Sequence, residues 1–173
     1  MAEQRDFMPL NIAVLTVSDS RTEADDHSGR VLVERLTGAG HRLAEKAIVA
    51  DDVYRIRAVA SRWIADPAVN AVLTTGGTGV TGRDGTPEAV RVLLDKEIEG
   101  FGELFRRLSF AEIGASTVQS RCLGGVANGT YVFVLPGSSG ACRLAWDRIL
   151  EKQLDCRTRP CNFAELLPRL RER

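Results

Sequence analysis

The chain has 173 residues, of which 44% are hydrophobic, and its 23 Lys and Arg residues balance 23 Asp and Glu residues. This length and apolar content favour one domain with a substantial core over two smaller ones. The formal net charge of +0 gives no electrostatic preference for nucleic acid or for an anionic membrane. No apolar run approaches the ~18 residues of a membrane-spanning helix, and residues 1–10 contain no hydrophobic signal region. The composition therefore predicts a single-domain cytoplasmic protein.

Cysteine and histidine are sparse. The chain has four cysteines, none in a C-x-x-C pair, and two histidines. This pattern gives no indication of a structural zinc site, and reduced thiols suit a cytosolic protein. We expect both histidines, His27 and His41, at the surface.

Apolar segments and helical patterns alternate in the first half of the chain. The apolar runs predict strands over residues 10–17, 41–49 and 69–75. Between them we expect a helix over residues 28–37 and a second helix that follows Asp51, whose carboxylate suits an N-cap. The apolar face of the second helix is formed by Val53, Ile56, Ala60, Trp63 and Ile64.

The second half continues with helices and a hairpin. Thr86, Pro87 and Glu88 predict a helix start, with a hydroxyl cap, a proline in the first turn and an acid near the positive end of the helix dipole. The remaining predicted elements are a helix over 101–113, a short helix or loop over 114–125, a hairpin of strands 122–127 and 130–135, a helix after residue 140 and a surface-wrapping tail over 155–173. We expect residues 1–9 to be a flexible N-terminus.

The predicted strands are apolar throughout, which is typical of a parallel sheet covered on both faces. The fold class is therefore α/β, with a mostly parallel central sheet flanked by helices on both faces in three layers. In such sheets ligands bind at the carboxyl ends of the strands. Four segments follow predicted strands and should share that edge: residues 18–20, Asp51, residues 76–84 and residues 136–139.

The most distinctive segment is a glycine-rich loop over residues 76–85, which contains five glycines and follows the third predicted strand. Glycine tolerates positive φ and has no Cβ, so successive backbone N–H groups can surround a phosphate. Asp84 adds a carboxylate that would repel a phosphate without a metal ion, so the pairing suggests phosphate chemistry assisted by a divalent cation. The simpler alternative is a conformational turn, because glycines also cluster in ordinary connections.

Two short patterns overlap this loop. Residues 77–82 match the dinucleotide pattern G-x-G-x-x-G, which would suggest a nicotinamide-dependent oxidoreductase. Against this interpretation, the loop follows an internal strand and the next helix begins beyond the glycines. Gly77 and Gly82 also match the glycines of a P-loop, but Arg83 and Asp84 stand where Lys and Ser or Thr are required. The P-loop interpretation therefore fails.

Four motifs occur together at a spacing typical of one protein family: residues 75–79, 83–89, 100–103 and 135–138. Jointly they resemble the MoaB/MogA family of molybdenum cofactor biosynthesis proteins, and the resemblance covers nearly the whole chain. Residues 109–114, 119–121 and 155–163 are similar to the B-type branch of that family rather than to its adenylyltransferase branch.

The resemblance implies a molybdopterin-binding α/β domain that assembles as a homotrimer or homohexamer. Active members transfer AMP from Mg-ATP to the terminal phosphate of molybdopterin and release pyrophosphate. The family's two functional carboxylates correspond to Asp51 and Asp84, which are the catalytic candidates, and Asp84 is also the candidate ligand of Mg²⁺. Asp52 is an alternative to Asp51, and Gly85 stands where the family often has valine.

The candidate binding residues for molybdopterin and nucleotide lie on the same segments. They are Ser18, Asp19, Ser20, Thr75, Gly76, Gly77, Thr78, Gly79, Glu103, Pro136, Gly137, Ser138 and Ser139. We expect the amides of residues 76–79 to bind phosphate oxygens, and the helix start after Pro136 to bind the pterin or its phosphate. Residues 18–20 are alternatively a turn, and Glu103 is alternatively a solvated helix acid.

A non-catalytic B-type protein is the strongest alternative function. Such a protein would bind the pterin, or associate with other proteins of the molybdenum cofactor pathway, and would not transfer AMP although it retains both acids. Binding and transfer therefore both stay open as functions of this chain.

Overall fold

The computed structural model describes residues 5–172, with a six-stranded sheet at the centre. The strands are β1 (Asn11–Val17), β2 (Arg42–Val49), β3 (Ala71–Thr75), β4 (Lys96–Glu97), β5 (Leu123–Ala127) and β6 (Thr130–Leu135). Their order across the sheet is β2-β1-β3-β6-β5-β4. The first four strands in this order run parallel, whereas β5 and β4 are each antiparallel to the preceding strand. The predicted mostly parallel α/β sheet is confirmed.

Helices connect the strands and cover both faces of the sheet. They are α1 (His27–Gly38), α2 (Val53–Ala65), α3 (Thr86–Arg91), α4 (Glu99–Ile113), α5 (Ser139–Ala145), α6 (Glu151–Gln153) and α7 (Phe163–Leu166). Turns of 3₁₀ helix cover Gly114–Gln119 and Leu167–Arg169, and a π-helical turn covers Trp146–Leu150. Residues 114–125, predicted as a short helix or a loop, therefore contain a 3₁₀ turn and the start of β5.

Two hydrophobic layers enclose the sheet. One layer, which includes side chains of α1, α4 and α5, contains Leu32, Leu36, Phe101, Phe105 and Cys142. The opposite layer, from α2 and α3, contains Ile56, Ala60, Trp63, Ala89 and Val90. Since the central strands are buried on both faces, their sequences are continuous apolar runs. The three-layer architecture is as predicted.

His41 lies in the core, so the predicted surface position is wrong for this residue. Its side chain is 4% exposed, and its Nδ1 accepts a hydrogen bond from the N–H of Leu10 at 3.1 Å. Burial lowers the pKa of His41, although the charge of Asp155 opposes this effect. His41 is therefore a neutral hydrogen-bond acceptor at neutral pH.

The C-terminal segment packs on the α1/α4/α5 layer. The hydroxyl of Tyr131 donates to the carbonyl of Phe163 at 2.9 Å. The ring centroid of Phe163 lies 4.9 Å from that of Tyr131 and 5.9 Å from that of Phe133. At the other end of the chain, residues 1–4 of the predicted flexible terminus lie outside the described residues, and Phe7 packs against His41.

Candidate functional site

The carboxyl ends of β1, β2, β3 and β6 meet at one edge of the sheet, and the loops that follow them touch one another. The N–H of Ser18 donates to the carbonyl of Val49 at 2.9 Å, and the N–H of Gly76 donates to that of Leu135 at 3.1 Å. This edge brings together the candidate residues of the 18–20, 76–85 and 136–139 segments, with Asp51 between them. The predicted convergence at the strand ends is confirmed.

Two glycines of the loop have a conformation that other residues rarely adopt. Gly76 has φ of 102° and Gly77 has φ of 63°. A Cβ on Gly76 would lie 2.1 Å from the carbonyl oxygen of Val17. A Cβ on Gly77 would lie 2.3 Å from Oγ1 of Thr86 and 2.6 Å from Oδ2 of Asp51. Glycine is therefore required at both positions for the loop to approach β1 and Asp51.

Asp51 is half-buried beside this loop. Its Oδ1 accepts the N–H of Gly85 at 3.1 Å, and its own N–H donates to Oδ1 of Asp19 at 3.0 Å. Burial raises the pKa of Asp51, and the charges of Asp84 and Asp19 raise it further. A carboxylate held in such surroundings is a common feature of functional sites.

The helix cap that Asp51 was expected to provide comes from Asp52. Oδ1 of Asp52 accepts the N–H groups of Tyr54 at 3.0 Å and Arg55 at 2.9 Å, which lie in the first turn of α2. The cap prediction for Asp51 is therefore wrong by one residue. As a result, Asp51 faces the glycine loop and Asp52 has a structural role.

Asp84 is fixed through one carboxylate oxygen. Its Oδ2 accepts the N–H of Thr81 at 2.9 Å and the Thr81 hydroxyl at 2.6 Å. Chiefly the hydroxyl bond, and then the N–H group of Thr81, hold the pKa of Asp84 below its usual value against the effect of burial. Within residues 5–172, Oδ1 of Asp84 accepts no hydrogen bond. The group is therefore ionised at neutral pH and has one oxygen available to a ligand.

Protein side chains alone do not form a metal site here. Within the described part of the chain, no three His, Cys, Asp or Glu side chains are grouped closely enough to bind a metal ion. Mg²⁺ commonly binds through one or two carboxylates, with substrate phosphates and water as its other ligands. The free Oδ1 of Asp84 beside an amide-rich loop fits that kind of coordination.

Asp19 links two of the loops. Its carboxylate accepts hydrogen bonds from Nε and Nη2 of Arg83 at 2.7 to 3.0 Å, in addition to the bond from Asp51. The Arg83 bond is the chief reason why the pKa of Asp19 lies below its usual value. Ser18 forms a turn, in which its Oγ accepts the N–H groups of Ser20 at 3.3 Å and Arg21 at 3.2 Å. These hydrogen bonds fix residues 18–21 as a turn at the edge of the site.

The loop after β6 is held by buried and half-buried contacts. The hydroxyl of Thr75 donates to the carbonyl of Pro136 at 3.0 Å and lies 3.2 Å from Sγ of Cys142. Oγ of Ser138 caps α5 by accepting the N–H of Ala141 at 3.1 Å. A Cβ on Gly137 would lie 3.2 Å from Cα of Gly76, so this loop packs directly on the glycine loop. Ser139 is half-buried at the start of α5, beside the same loop.

Glu103 lies apart from the other candidates. It is exposed on α4 and lines a separate cleft of about 430 Å³ with Arg91, Arg106 and Cys122. None of the candidate residues at the sheet edge lines this cleft. In this chain Glu103 therefore lies away from the sheet-edge residues, because its side chain lines a cleft beside β4 and β5, at the end of the sheet.

Thr86 differs from its predicted role as a hydroxyl cap. It is the first residue of α3, which has no side-chain cap bond, and Gly85 precedes it. Its Oγ1 is buried and has no hydrogen-bond partner among residues 5–172. The hydroxyl instead lies over Gly77, on the same side as Asp51.

Three residues outside the candidate set, Arg21, Thr81 and Arg121, hold the site together. Arg21 donates to Oγ of Ser28 at 2.5 Å and to the carbonyl of Gly137 at 3.0 Å. Thr81 fixes Asp84, and Arg121 contacts the back of the glycine loop. The contact of Thr81 with Asp84 is local, because a Thr three residues before an Asp is a turn signal. The contact of Arg21 spans more than a hundred residues of sequence and that of Arg121 more than thirty, so no local pattern indicates them.

The loops lie at the edge of the sheet where α/β domains commonly bind ligands, and comparison with known proteins identifies the class of this chain. Residues 13–155 match the family described as a probable molybdopterin binding domain, and the chain belongs to this family of molybdenum cofactor biosynthesis proteins. The chain is 56% identical over 158 residues to molybdenum cofactor biosynthesis protein B of Escherichia coli K12, with 91% of this chain and 93% of that protein covered. The predicted family and B-type resemblance are thereby confirmed.

Solved structures agree with this assignment. A crystal structure of a molybdenum cofactor biosynthesis protein B superposes with a TM-score of 0.88 at 41% identity and covers 98% of this chain and 100% of that chain. The tungsten cofactor synthesizing protein MoaB from Pyrococcus furiosus gives a TM-score of 0.80 at 33% identity, with 95% and 98% covered. In the described part of the chain, no helix is both long enough and apolar enough to cross a bilayer.

The dinucleotide pattern in the loop has a different structural setting from a nicotinamide site. In a dinucleotide-binding fold the glycine turn follows the first strand and leads directly into a helix. Here the loop follows β3, and α3 begins at Thr86, four residues beyond Gly82. The geometry therefore argues against the oxidoreductase alternative.

Proposed function

We propose that the domain binds molybdopterin at the carboxyl edge of the sheet and transfers AMP from Mg-ATP to its terminal phosphate. The observation that carries this proposal is the pairing of Asp84, ionised and with a free Oδ1, with an amide-rich loop that packs against Asp51. Family membership supports the pterin as the substrate. The four free thiols agree with a reducing cytosol as the place of action.

The transfer is a displacement at phosphorus. An oxygen of the molybdopterin phosphate attacks the α-phosphorus of ATP, the new P–O bond forms, and the bond to the β-phosphate oxygen breaks as pyrophosphate leaves. Both reactants are polyanions, so much of the barrier comes from bringing their charges together in line. The site must therefore supply positioning and charge neutralisation.

The proposed roles follow from the geometry of each residue. Bound Mg²⁺ would neutralise phosphate charge, and Oδ1 of Asp84 would hold it directly or through water. The amides of Gly77 and Thr78 would bind phosphate oxygens, because Gly76 and Gly77 allow the backbone to approach without a Cβ, whereas the N–H of Gly76 already donates to Leu135. Asp51, with its raised pKa and its Oδ2 over Gly77, would position the reacting groups at the same point.

The segments beside the loop would complete the binding site. Ser18, Ser20 and Asp19 form the wall next to Asp51, and residues 136–139 form the wall next to Gly76. Asp19 and Ser138 already have intramolecular partners, so their contribution to ligand binding would be smaller than that of the loop amides.

Non-catalytic pterin binding is the second candidate function, favoured by the similarity to B proteins rather than to the adenylyltransferase branch. The two functions are separated by measuring molybdopterin binding and AMP transfer on the same preparation. Saturable binding together with adenylylated pterin would support transfer. Binding without any adenylylated product would select the non-catalytic role, alone or in association with other pathway proteins.

We also propose that the chain forms a homotrimer or homohexamer. Phe110 and Ile113 lie three residues apart on α4 and are 61% and 53% exposed, and Val118 in the following 3₁₀ turn is 79% exposed. Exposed large apolar side chains near one another in the sequence suggest an interaction surface. A second copy of the chain is the occupant that the family resemblance suggests.

A further inference from the structure

Arg121 holds the outer side of the glycine loop. Its Nε donates to the carbonyl oxygens of Gly79 at 2.7 Å and Thr78 at 3.3 Å. Its Nη2 donates to the carbonyl of Asp84 at 2.8 Å, and its Nη1 binds the carboxylate of Glu88. One guanidinium group thus contacts both ends of the loop, although Arg121 lies more than thirty residues away in the sequence.

These contacts determine which way the loop amides point. In a trans peptide the C=O of one residue and the N–H of the next point in opposite directions. Carbonyl groups turned toward Arg121 therefore direct the N–H groups of Gly79, Val80 and Gly85 away from it. The N–H of Gly85 has its partner on that far side, because it donates to Asp51 at 3.1 Å, and Gly79 lies beside the carboxylate of Asp84, which a Cβ on Gly79 would meet at 2.6 Å.

We infer that Arg121 is a positioning residue, which orients the loop amides toward the ligand side of the site. This inference rests on the proposed phosphate-binding role of the loop. Arg121 itself lines the cleft that contains Glu103 rather than the sheet edge, and all three of its guanidinium nitrogens bind carbonyl oxygens of the loop or Glu88. The planar guanidinium matters here, since a lysine ammonium cannot reach acceptors in several directions with the same fixed geometry.

The test compares Arg121→Lys with Glu88→Gln. Arg121→Lys keeps the positive charge but loses the planar guanidinium that reaches the carbonyl oxygens. Glu88→Gln keeps the guanidinium and its carbonyl contacts and loses only the ion pair. The reporters are amide hydrogen exchange rates of loop N–H groups that are hydrogen-bonded in the structure, those of Thr81, Asp84, Gly85 and Thr86. Amides of β3 serve as the reference for global unfolding.

In Arg121→Lys we expect exchange of these loop amides to be roughly tenfold faster, with β3 amides unchanged, because a hydrogen-bonded anchor is lost locally. Glu88→Gln should exchange at close to the wild-type rate. Calorimetric titration with inorganic pyrophosphate and Mg²⁺ should give a Kd raised roughly tenfold in Arg121→Lys and nearly unchanged in Glu88→Gln. A merely destabilising change would leave this Kd unchanged as long as the variant stays folded, which the exchange of the β3 amides reports.

Unchanged loop exchange in Arg121→Lys would overturn the inference, and so would equal effects of the two variants. A wild-type protein that does not bind pyrophosphate would instead contradict the proposed phosphate site. In that case the exchange comparison still decides whether Arg121 orients the loop, so the two failures are distinguishable.

Discussion

Asp51 and Asp52 are adjacent carboxylates with separate roles, one at the candidate site and one at the start of α2. We predict that Asp51→Asn lowers AMP transfer on the order of 100-fold, because the charge beside the glycine loop is lost. Thermal stability should not fall, since burial and neighbouring acids already raise the pKa of Asp51 and disfavour its ionised form.

Asp52→Ala is the matched control for this prediction. It removes two hydrogen bonds from the first turn of α2 and should cost about 1 kcal/mol of unfolding free energy, with transfer close to wild type. Thermal unfolding and an AMP-transfer assay on both variants check the pair. Normal transfer in Asp51→Asn would contradict the role given to Asp51.

The buried His41 gives the protein a pH dependence of its own. Because burial lowers the pKa of His41 in the folded state, the unfolded chain binds the proton more readily. The free energy of unfolding should therefore fall as the pH decreases below about 6.5 and level off below the pKa of the folded state. Chemical denaturation between pH 7 and pH 5 measures this slope.

A His41→Gln variant should have a shallower slope than the wild type, because the buried side chain at this position then takes up no proton between pH 7 and pH 5. Equal slopes in the wild type and His41→Gln would show that His41 does not remain neutral in the fold.

At the scale of elements, the glycine loop combines a required backbone conformation with a close approach of side chains. Gly77→Ala would place a Cβ at positive φ, 2.3 Å from Oγ1 of Thr86 and 2.6 Å from Oδ2 of Asp51. The conformation alone should cost about 1–2 kcal/mol of stability. Displacement of Asp51 should also abolish detectable transfer.

Gly82→Ala lies in the same loop and is the control, because a Cβ there meets no atom within 4 Å. We expect wild-type stability and transfer for this variant. Chemical denaturation and the transfer assay on both variants check the prediction, and a Gly77→Ala protein as active as wild type would contradict the assigned loop geometry.

Local patterns predicted most elements, whereas contacts distant in sequence were not predictable. The face of α2 follows from the spacing of Ile56, Ala60 and Trp63, which all lie in the core. Asp51 and Asp52 are the same residue type, so the sequence predicts the cap one residue early, and only the backbone path distinguishes them. The motif at residues 100–103 makes Glu103 a candidate, but a motif does not specify that this side chain lines a cleft away from the sheet edge.

At the scale of the whole molecule, the exposed apolar surface of Phe110, Ile113 and Val118 predicts self-association. Light scattering should give a mass of three or six chains for the wild type. Phe110→Glu should reduce that mass to one chain, because it places a charge in a surface that contact would desolvate. Tyr54→Glu is the control, since Tyr54 is 76% exposed on α2 and lies outside this surface. A monomeric wild type would contradict the prediction.

The central claim is that this sheet edge transfers AMP to molybdopterin with the help of Asp84. The most direct measurement is the release of pyrophosphate from Mg-ATP by the wild type and by Asp84→Asn, each with and without molybdopterin. We predict release by the wild type only when the pterin is present, with an equal amount of adenylylated product, and release reduced on the order of 100-fold in the variant. Equal release by Asp84→Asn, or no pterin-dependent release by a wild type that binds molybdopterin, would contradict the claim.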